Sequence, residues 1–286
     1  MISLPPPLVL SAVADRYDVL LCDVWGVVHD GLRARVEACE ALATFRRRGG
    51  TVVLISNSPR PAEAVEAQLD QVGVPRAAWD AFVTSGDLTA SEIRRRGAQR
   101  IVHIGPPRDH ALFAPLGVTL VDAAAAELVV VTGLDDDETE TPDDYGDRLA
   151  ALRARGLAMV CANPDRVVER GDKLIWCAGA LAELYEGLGG TVVYAGKPYP
   201  AIYQAALALA AARRGAAPAQ GRVLAIGDGI ATDVAGAFAA GLPCLFVSGG
   251  IHGRELGDPP EPEAWARLFA GFPHPPLGWT HRLRWD

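Results

Sequence analysis

Several polar residues that can carry chemistry lie in the segments that follow apolar runs, and these runs are typical of buried strands. They are three aspartates, a hydroxyl–amide pair and one of the two lysines of the chain: Asp23, Asp228, Asp233, Ser56, Asn57 and Lys197. In open α/β sheets, ligands bind outside the carboxyl ends of the strands. If these strands are neighbours, the side chains therefore lie together at one edge of a sheet.

This set of side chains favours phosphoryl chemistry. Two or three carboxylates around a small opening suit Mg²⁺, which prefers oxygen ligands. The ammonium group of Lys197 and the backbone N–H groups of the turn 56–58 would bind phosphate oxygens. A carboxylate such as that of Asp23 can also be the nucleophile and form an aspartyl-phosphate. Each feature alone is a weak signal, but together they predict a site for magnesium and phosphate.

The elements that position these residues alternate between strand and helix. Apolar, β-branched runs alternate with helical patterns, which predicts right-handed βαβ units, a parallel sheet and an α/β fold. The runs are nearly continuous in Val, Ile and Leu, as in strands that are buried on both faces. Strands are predicted at 19–22, 51–55, 81–84, 101–104, 128–131, 157–161, 192–195, 223–226 and 243–247. Helices are predicted at 34–48, 62–72, 143–155, 199–214 and 233–240, and the tail from 259 onward is expected to be a packed, irregular extension.

The motifs at the strand ends resemble those of the haloacid dehalogenase-like hydrolases, and among them the NagD-like class IIA phosphatases. The matching segments are DVWGV at 23–27, ISNSPR at 55–60, TSGD at 84–87, NPD at 163–165, YAGKPYPAIY at 194–203 and IGDGIATDVAGA at 226–237. The resemblance implies a Rossmann-like core, formed by 1–96 and 192–286, with an inserted α/β cap domain at 97–191. It also implies a Mg²⁺-dependent phosphatase of a small phosphorylated metabolite, such as a sugar phosphate.

The resemblance also implies the metal ligands and the nucleophile. Asp23 would attack the phosphoryl group. Asp23, the main-chain carbonyl of Trp25 and Asp228 would bind Mg²⁺, with Asp233 in or beside that shell.

The same resemblance assigns the phosphate and substrate contacts. Ser56 and Asn57 would bind the transferring phosphoryl group, and Lys197 would neutralise it and orient the nucleophile. The cap segment with Asn163 and Asp165 would face the substrate.

One residue departs from the pattern of the family. Phosphatases of this superfamily usually read D-x-D, and the second Asp acts as general acid and base, but this chain has Trp25 there. An indole has one N–H donor and no useful basicity. His252, which follows the run 243–247, is a candidate surrogate acid or base, and His29 is a second one. For both histidines, a packing role is the more frequent use of such a residue.

Trp25 therefore leaves alternatives open beside the phosphatase. The chain could be a regulatory protein that binds a phosphometabolite without turnover, or a hydrolase of this superfamily that acts on another bond. Retention of Asp23, Lys197, Asp228 and Asp233 favours the enzyme, because binding alone needs no nucleophile.

The composition of the chain argues against nucleic acid and membranes as binding partners. The net charge of −8 argues against a broad nucleic-acid footprint, and the apolar runs are too short to span a bilayer. The start of the chain has no basic segment typical of a signal peptide, and five cysteines without a CxxC pair suit a reducing compartment. We therefore expect a cytoplasmic protein. A homodimer is compatible with the resemblance, although no residue decides it.

Overall fold

The strands of this computed structural model form two parallel sheets and one hairpin in the described residues 2–170, 173–219 and 221–286. In chain order the strands are β1 (Val19–Asp23), β2 (Thr51–Ser56), β3 (Ala81–Thr84), β4 (Arg100–Ile104), β5 (Thr119–Leu120), β6 (Leu128–Val131), β7 (Met159–Cys161), β8 (Val167–Arg170), β9 (Lys173–Trp176), β10 (Val192–Tyr194), β11 (Val223–Gly227), β12 (Cys244–Val247) and β13 (Gly278–Thr280).

The α-helices separate most of these strands. They are α1 (Val36–Arg47), α2 (Ala62–Gln71), α3 (Ser85–Arg96), α4 (Gly146–Ala154), α5 (Ala178–Gly187), α6 (Pro200–Arg214), α7 (Ala235–Ala239), α8 (Gly253–Leu256) and α9 (Pro262–Leu268). No helix of the described residues is long and apolar enough to cross a membrane.

The chain divides into two compact units. The first contains Met1–Ser56, Glu66–Val83 and Pro198–Asp286, and the second contains Asn57–Val65 and Thr84–Lys197. The sheet of the first unit has the strand order β13-β12-β11-β1-β2-β3, with β1 parallel to both β2 and β11. Every residue of β1 and β2 is buried, because both faces of this sheet are covered.

The sheet of the second unit is parallel throughout, in the order β10-β7-β6-β4-β5. Successive side chains of a strand point to opposite faces, and β6 divides accordingly between two cores. Val129 and Val131 pack with α4 and α5, whereas Leu128 and Val130 pack with Ile93 of α3. The predicted α/β class with parallel sheets is confirmed.

Two predictions about local structure are wrong. The tail after 259 is not irregular, because α9 buries Trp265 and β13 extends the first sheet beside β12. The helix predicted to begin at Asp233 is preceded by a π-helical turn over Ile230–Val234, in which the Gly229 carbonyl accepts the N–H groups of both Asp233 and Val234. π-Turns of this kind are frequent at functional sites.

Candidate active site

Three buried aspartates meet at the carboxyl edge of the first sheet. Asp23 ends β1, Asp228 follows β11 directly, and the parallel register pairs Cys22 with Ile226, which brings the two strand ends side by side. Asp233 reaches the same place from the π-helical turn. One carboxylate oxygen from each aspartate lies within 4.8 Å of the other two, and the three residues are only 5–7% exposed.

Backbone N–H groups orient two of these carboxylates. The Ile251 N–H donates to Asp228 Oδ2 at 2.8 Å, and the Gly229 N–H donates to Asp233 Oδ2 at 3.0 Å. The carboxylate positions are therefore set by loops that the sheet itself holds in place.

Glycines allow these loops to approach the carboxylates. A Cβ at Gly250 would lie 1.9 Å from Asp228 Oδ2, and a Cβ at Gly26 would lie 2.1 Å from the same atom. Gly26 also has φ +82, a conformation that L side chains rarely adopt. Sequence reasoning missed both glycines, although the GG pair directly after the β12 segment was a signal of close backbone approach.

The aspartate cluster fits a divalent cation. Several carboxylates buried together repel one another and lose hydration unless a cation or other partners compensate them. An all-oxygen donor set suits hard cations such as Mg²⁺ and Ca²⁺. Asp23, Asp228 and Asp233, each predicted to be at the metal, are thus brought together, whereas the part assigned to the Trp25 carbonyl stays a prediction.

Ser56 lies at the same edge of the first sheet. It ends β2, and the register pairs Asp23 with Ile55, so Ser56 stands one residue beyond the nucleophile candidate on the neighbouring strand. Its side chain is nearly buried, at 9% exposure. Its hydroxyl is therefore placed where a group bound at Asp23 could be contacted.

A second cluster, within the second unit, contains Asn57, Asp165 and Lys197. The Asn57 amide donates to Asp165 Oδ1 at 3.0 Å and to the Lys197 carbonyl at 3.1 Å, and its Oδ1 accepts the Lys197 N–H at 2.7 Å. Lys197 is 4% exposed, and lysine is rarely buried without partners. The phosphate-binding candidates Asn57 and Lys197 are thus fixed to each other and to one residue of the predicted substrate segment.

Ser85 belongs to this second cluster and was not assigned a role from the sequence. Its hydroxyl donates to Asn57 Oδ1 at 3.3 Å. A Cβ at Gly196 would lie 2.2 Å from the Ser85 Oγ, and Gly196 has φ +143. The position of Ser85 directly after the apolar run 81–84 was the available signal.

Asn163 shapes the segment that carries Asp165. Asn163 is buried, and its Oδ1 accepts the Asp165 N–H at 3.0 Å, which is an Asx-type turn. Asn163 therefore holds the turn, and the carboxylate of Asp165 meets the Asn57 amide.

Trp25 is anchored over the loop that follows β1. Its ring meets the His29 ring edge-on, with centroids 5.0 Å apart, and a Cβ at Gly31 would lie 2.7 Å from the indole Cζ2. Gly31 also has φ +88, so this position suits glycine for two independent reasons. The indole is held in one orientation beside the strand end that carries Asp23.

His29 is a packing residue in this structure. It is 2% exposed, and its Nδ1 accepts the Gly31 N–H at 2.9 Å. Burial lowers the pKa of His29 to about 4, so the ring is neutral at pH 7 and holds the loop instead of supplying an acidic proton.

His252 is half-buried at the start of α8. Its Nδ1 lies 3.5 Å from Glu255 Oε2, and the preceding residue, Ile251, is the one that binds Asp228. His252 is thus next in sequence to the loop of the acidic cluster, and its role as surrogate acid or base stays a prediction.

Comparisons with known proteins agree with this arrangement. A model described as haloacid dehalogenase-like hydrolase matches residues 20–119, and one described as HAD-hydrolase-like matches 194–269. A crystal structure of a haloacid dehalogenase-like hydrolase from Brucella suis is 46% identical, covers 98% of this chain and 100% of its own, and has a TM-score of 0.87.

Two further relatives have named activities. The ribonucleotide monophosphatase NagD of Escherichia coli is 28% identical over 81% of this chain and 88% of its own. A glycerol phosphate phosphatase from Mycobacterium tuberculosis, solved in complex with calcium, is 29% identical over 84% of this chain and 68% of its own, with a TM-score of 0.62. The present chain belongs to the haloacid dehalogenase-like hydrolases.

Proposed function

We propose that this chain is a Mg²⁺-dependent phosphatase that transfers the phosphoryl group of a small phosphorylated metabolite to Asp23. The observation that carries the proposal is the convergence of Asp23, Asp228 and Asp233, whose carboxylate oxygens lie within 4.8 Å of one another at the strand ends. The activities of the relatives, a ribonucleotide monophosphatase and a glycerol phosphate phosphatase, support a substrate of this class.

The metal ligands in this proposal are Asp23, Asp228, Asp233 and the main-chain carbonyl of Trp25. When bound, Mg²⁺ supplies charge neutralisation for the phosphoryl oxygens and for the attacking carboxylate. The N–H groups of Ile251 and Gly229 keep Asp228 and Asp233 in the orientation that binding requires.

The chemical step is a displacement at phosphorus. A carboxylate oxygen of Asp23 forms a bond to phosphorus while the bond to the substrate oxygen breaks and that oxygen leaves with the electron pair. Water then attacks the aspartyl-phosphate, which releases inorganic phosphate, restores the Asp23 carboxylate and consumes one water molecule. The reaction is thus balanced as hydrolysis of a phosphoric monoester.

The remaining residues position the transferred group. The Ser56 hydroxyl and the backbone N–H of Asn57 would donate to phosphoryl oxygens, and the Lys197 ammonium would neutralise their charge. The second unit would act as the cap, as the sequence predicts for 97–191, and Asp165 would contact the substrate from it. A cap of this kind suits small substrates, because it must close over them.

Because Trp25 stands in place of the general acid, the rate should depend strongly on how good the leaving group of the substrate is. General acid help is worth about 10²–10⁴-fold, and an indole cannot supply it. We therefore expect good leaving groups to react faster, with His252 as the candidate proton donor for poorer ones. The absence of a general acid at Trp25 also supports the second candidate function, a phosphometabolite-binding protein without turnover.

The proposal is tested by phosphate release from a panel of phosphometabolites and 4-nitrophenyl phosphate, with and without Mg²⁺. We expect release to require Mg²⁺ and to fall by on the order of 10⁴-fold in Asp23→Asn, since the nucleophile is removed while the shape is kept. Asp147→Asn, at an exposed position of α4, is the matched control and should behave as wild type.

Two results would count against the phosphatase. If neither wild type nor Asp23→Asn releases phosphate from any compound of the panel, and isothermal titration calorimetry still detects binding of phosphometabolites, the second candidate function is favoured. Release that persists in Asp23→Asn would remove the covalent mechanism.

A further inference from the structure

One cavity of the first unit lies apart from the acidic cluster, since none of the three clustered aspartates lines it. It has a volume of 590 Å³, within the range of small-molecule sites, and is formed by the early segment 7–12 and the tail 279–284, with Glu37 and Asp258 at its wall. The two segments are hydrogen-bonded to each other, through Leu8 N–H to the Trp279 carbonyl and Leu10 N–H to the Arg284 carbonyl. The cavity therefore has a built wall.

The wall carries two exposed arginines together with the acidic residues Glu37 and Asp258. Arg282 and Arg284 line the cavity, and neither forms an ion pair with a side chain that the structure describes. His281 also lines it, and its buried Nδ1 has no hydrogen-bond partner among the described residues, with Asp258 Oδ1 at 3.5 Å.

A third arginine, Arg35, interacts with Arg282. The Nε of Arg35 is buried without a hydrogen-bond partner in the described residues. Burial and the nearby Arg282 lower the pKa of Arg35, whereas Asp30 and Asp228 act in the opposite direction.

A second cavity provides a comparison. It has a volume of 160 Å³ and is also lined by arginines, but Arg48 pairs with Asp15 at 2.7 Å and Arg222 pairs with Asp18 at 2.6 Å. There the protein supplies its own anions. At the larger cavity Glu37 and Asp258 balance the formal charge of Arg282 and Arg284, but no ion pair joins these acids to the two arginines among the described residues.

We propose that the 590 Å³ cavity is a binding site, separate from the acidic cluster, for a small metabolite that presents a carboxylate or phosphate group to Arg282 and Arg284. Guanidinium groups match both anions in bidentate geometry. Leu8, Val9 and Trp279 supply an apolar wall for the rest of the molecule.

The cavity is connected to the acidic cluster through one short loop. Its wall residue His281 accepts the Gly249 N–H on its carbonyl at 2.9 Å, and two residues later the Ile251 N–H holds Asp228. Binding at the cavity therefore acts on the loop that orients a metal-ligand candidate, as an effector site would.

The test is calorimetric titration of the metal-free full-length protein with inorganic phosphate and, separately, with succinate. We expect the double variant R282Q/R284Q to lose one binding site, or to bind at least about tenfold more weakly, because both charge-assisted contacts are removed. R282K/R284K should retain most of the affinity. Arg213→Gln, an exposed arginine of α6 outside the cavity, is the matched control.

Hydrogen exchange locates the bound anion independently of any activity. Phosphate or succinate should slow amide exchange in 7–12 and 279–284 in wild type and fail to do so in R282Q/R284Q. The anion that binds more tightly identifies the ligand class. Absence of binding in wild type, or binding and protection that the double variant retains in full, would overturn the proposal.

Discussion

At the carboxyl edge of the first sheet three aspartates point their oxygens at one another, whereas at the corresponding edge of the second sheet aspartates lie opposite arginines. There Asp135 pairs with Arg148 at 2.5 Å, and Asp137 pairs with Arg108. The second edge thus neutralises its own charge. At the first edge the three carboxylates surround one point, an arrangement that a bound cation would stabilise. Under the proposed function, the first edge binds a cation, whereas ion pairs stabilise the second edge.

The largest effect is expected from completing the first edge with Trp25→Asp. A carboxyl group there can protonate the leaving oxygen, so hydrolysis of alkyl phosphates should rise by about 10²–10⁴-fold while 4-nitrophenyl phosphate changes little. The measurement is kcat/KM for both substrate types. Trp25→Phe keeps an aromatic ring without acid chemistry and should show no gain. No gain in Trp25→Asp would mean that the first edge lacks more than a general acid.

A matched pair of glycine variants distinguishes the two edges. Gly250→Ala places a Cβ 1.9 Å from Asp228 Oδ2, and we expect Mg²⁺ affinity to fall by about 10–100-fold. Gly105→Ala places a Cβ 2.1 Å from Thr132 Oγ1 at the second edge, at φ +144, and should lower thermal stability without changing Mg²⁺ affinity.

Gly271→Ala, with no atom within 4 Å of the added Cβ, is the neutral control of this pair. Calorimetric Mg²⁺ titration and thermal unfolding give the two readouts. Equal loss of Mg²⁺ affinity in Gly250→Ala and Gly105→Ala would contradict the division of roles.

A smaller effect concerns one histidine in each unit, the buried His29 and the half-buried His103. Burial lowers the pKa of His29 and of His103 to about 4, from 6.5 in an exposed histidine. Each neutral ring therefore contributes stability that is complete above about pH 6.5 and is lost as the pH falls to about 4, up to about 3 kcal/mol per residue. Urea unfolding at pH 7 and pH 4.5 should show a smaller pH difference in His29→Gln and in His103→Gln than in wild type.

If both histidine variants show the same reduction in the pH dependence of unfolding, the loss of stability in acid has the same cause, desolvation of a histidine ring, in both units. The exposed His274 supplies the control variant, His274→Gln. If His29→Gln or His103→Gln loses as much stability between pH 7 and pH 4.5 as wild type does, the fold does not keep that ring neutral.

The sequence was sufficient to predict the parallel sheets and the aspartates at the strand ends. Runs such as Val19–Asp23 and Leu128–Val131 are buried along their whole length, as their continuous apolar pattern predicts. Because the carboxyl ends of parallel strands meet at one edge, Asp23 and Asp228 are expected together from the sequence alone. Asp233 follows Asp228 by five residues, and its place beside the metal was predicted from the resemblance.

The parts that the sequence did not predict depend on contacts between distant segments. Gly250 is required because the loop after β12 folds onto Asp228, and Ser85 matters because it reaches Asn57. The strand β13 was missed since its three residues, Gly278–Thr280, have no periodicity and gain their partners only from β12 and the early segment. Local pattern carries no information about such pairings.

The number of residues in the π-helical turn over Ile230–Val234 determines the direction in which the Asp233 side chain points. A π-turn holds one residue more than an α-turn, and each residue of an α-helix advances about 100° around the axis. Deletion of a single residue before Asp233 in this turn would keep all three aspartates in the chain, but we expect it to rotate the Asp233 side chain about a quarter of a circle away from Asp23 and Asp228. Insertions and deletions here are therefore as decisive for the site as substitution of an aspartate.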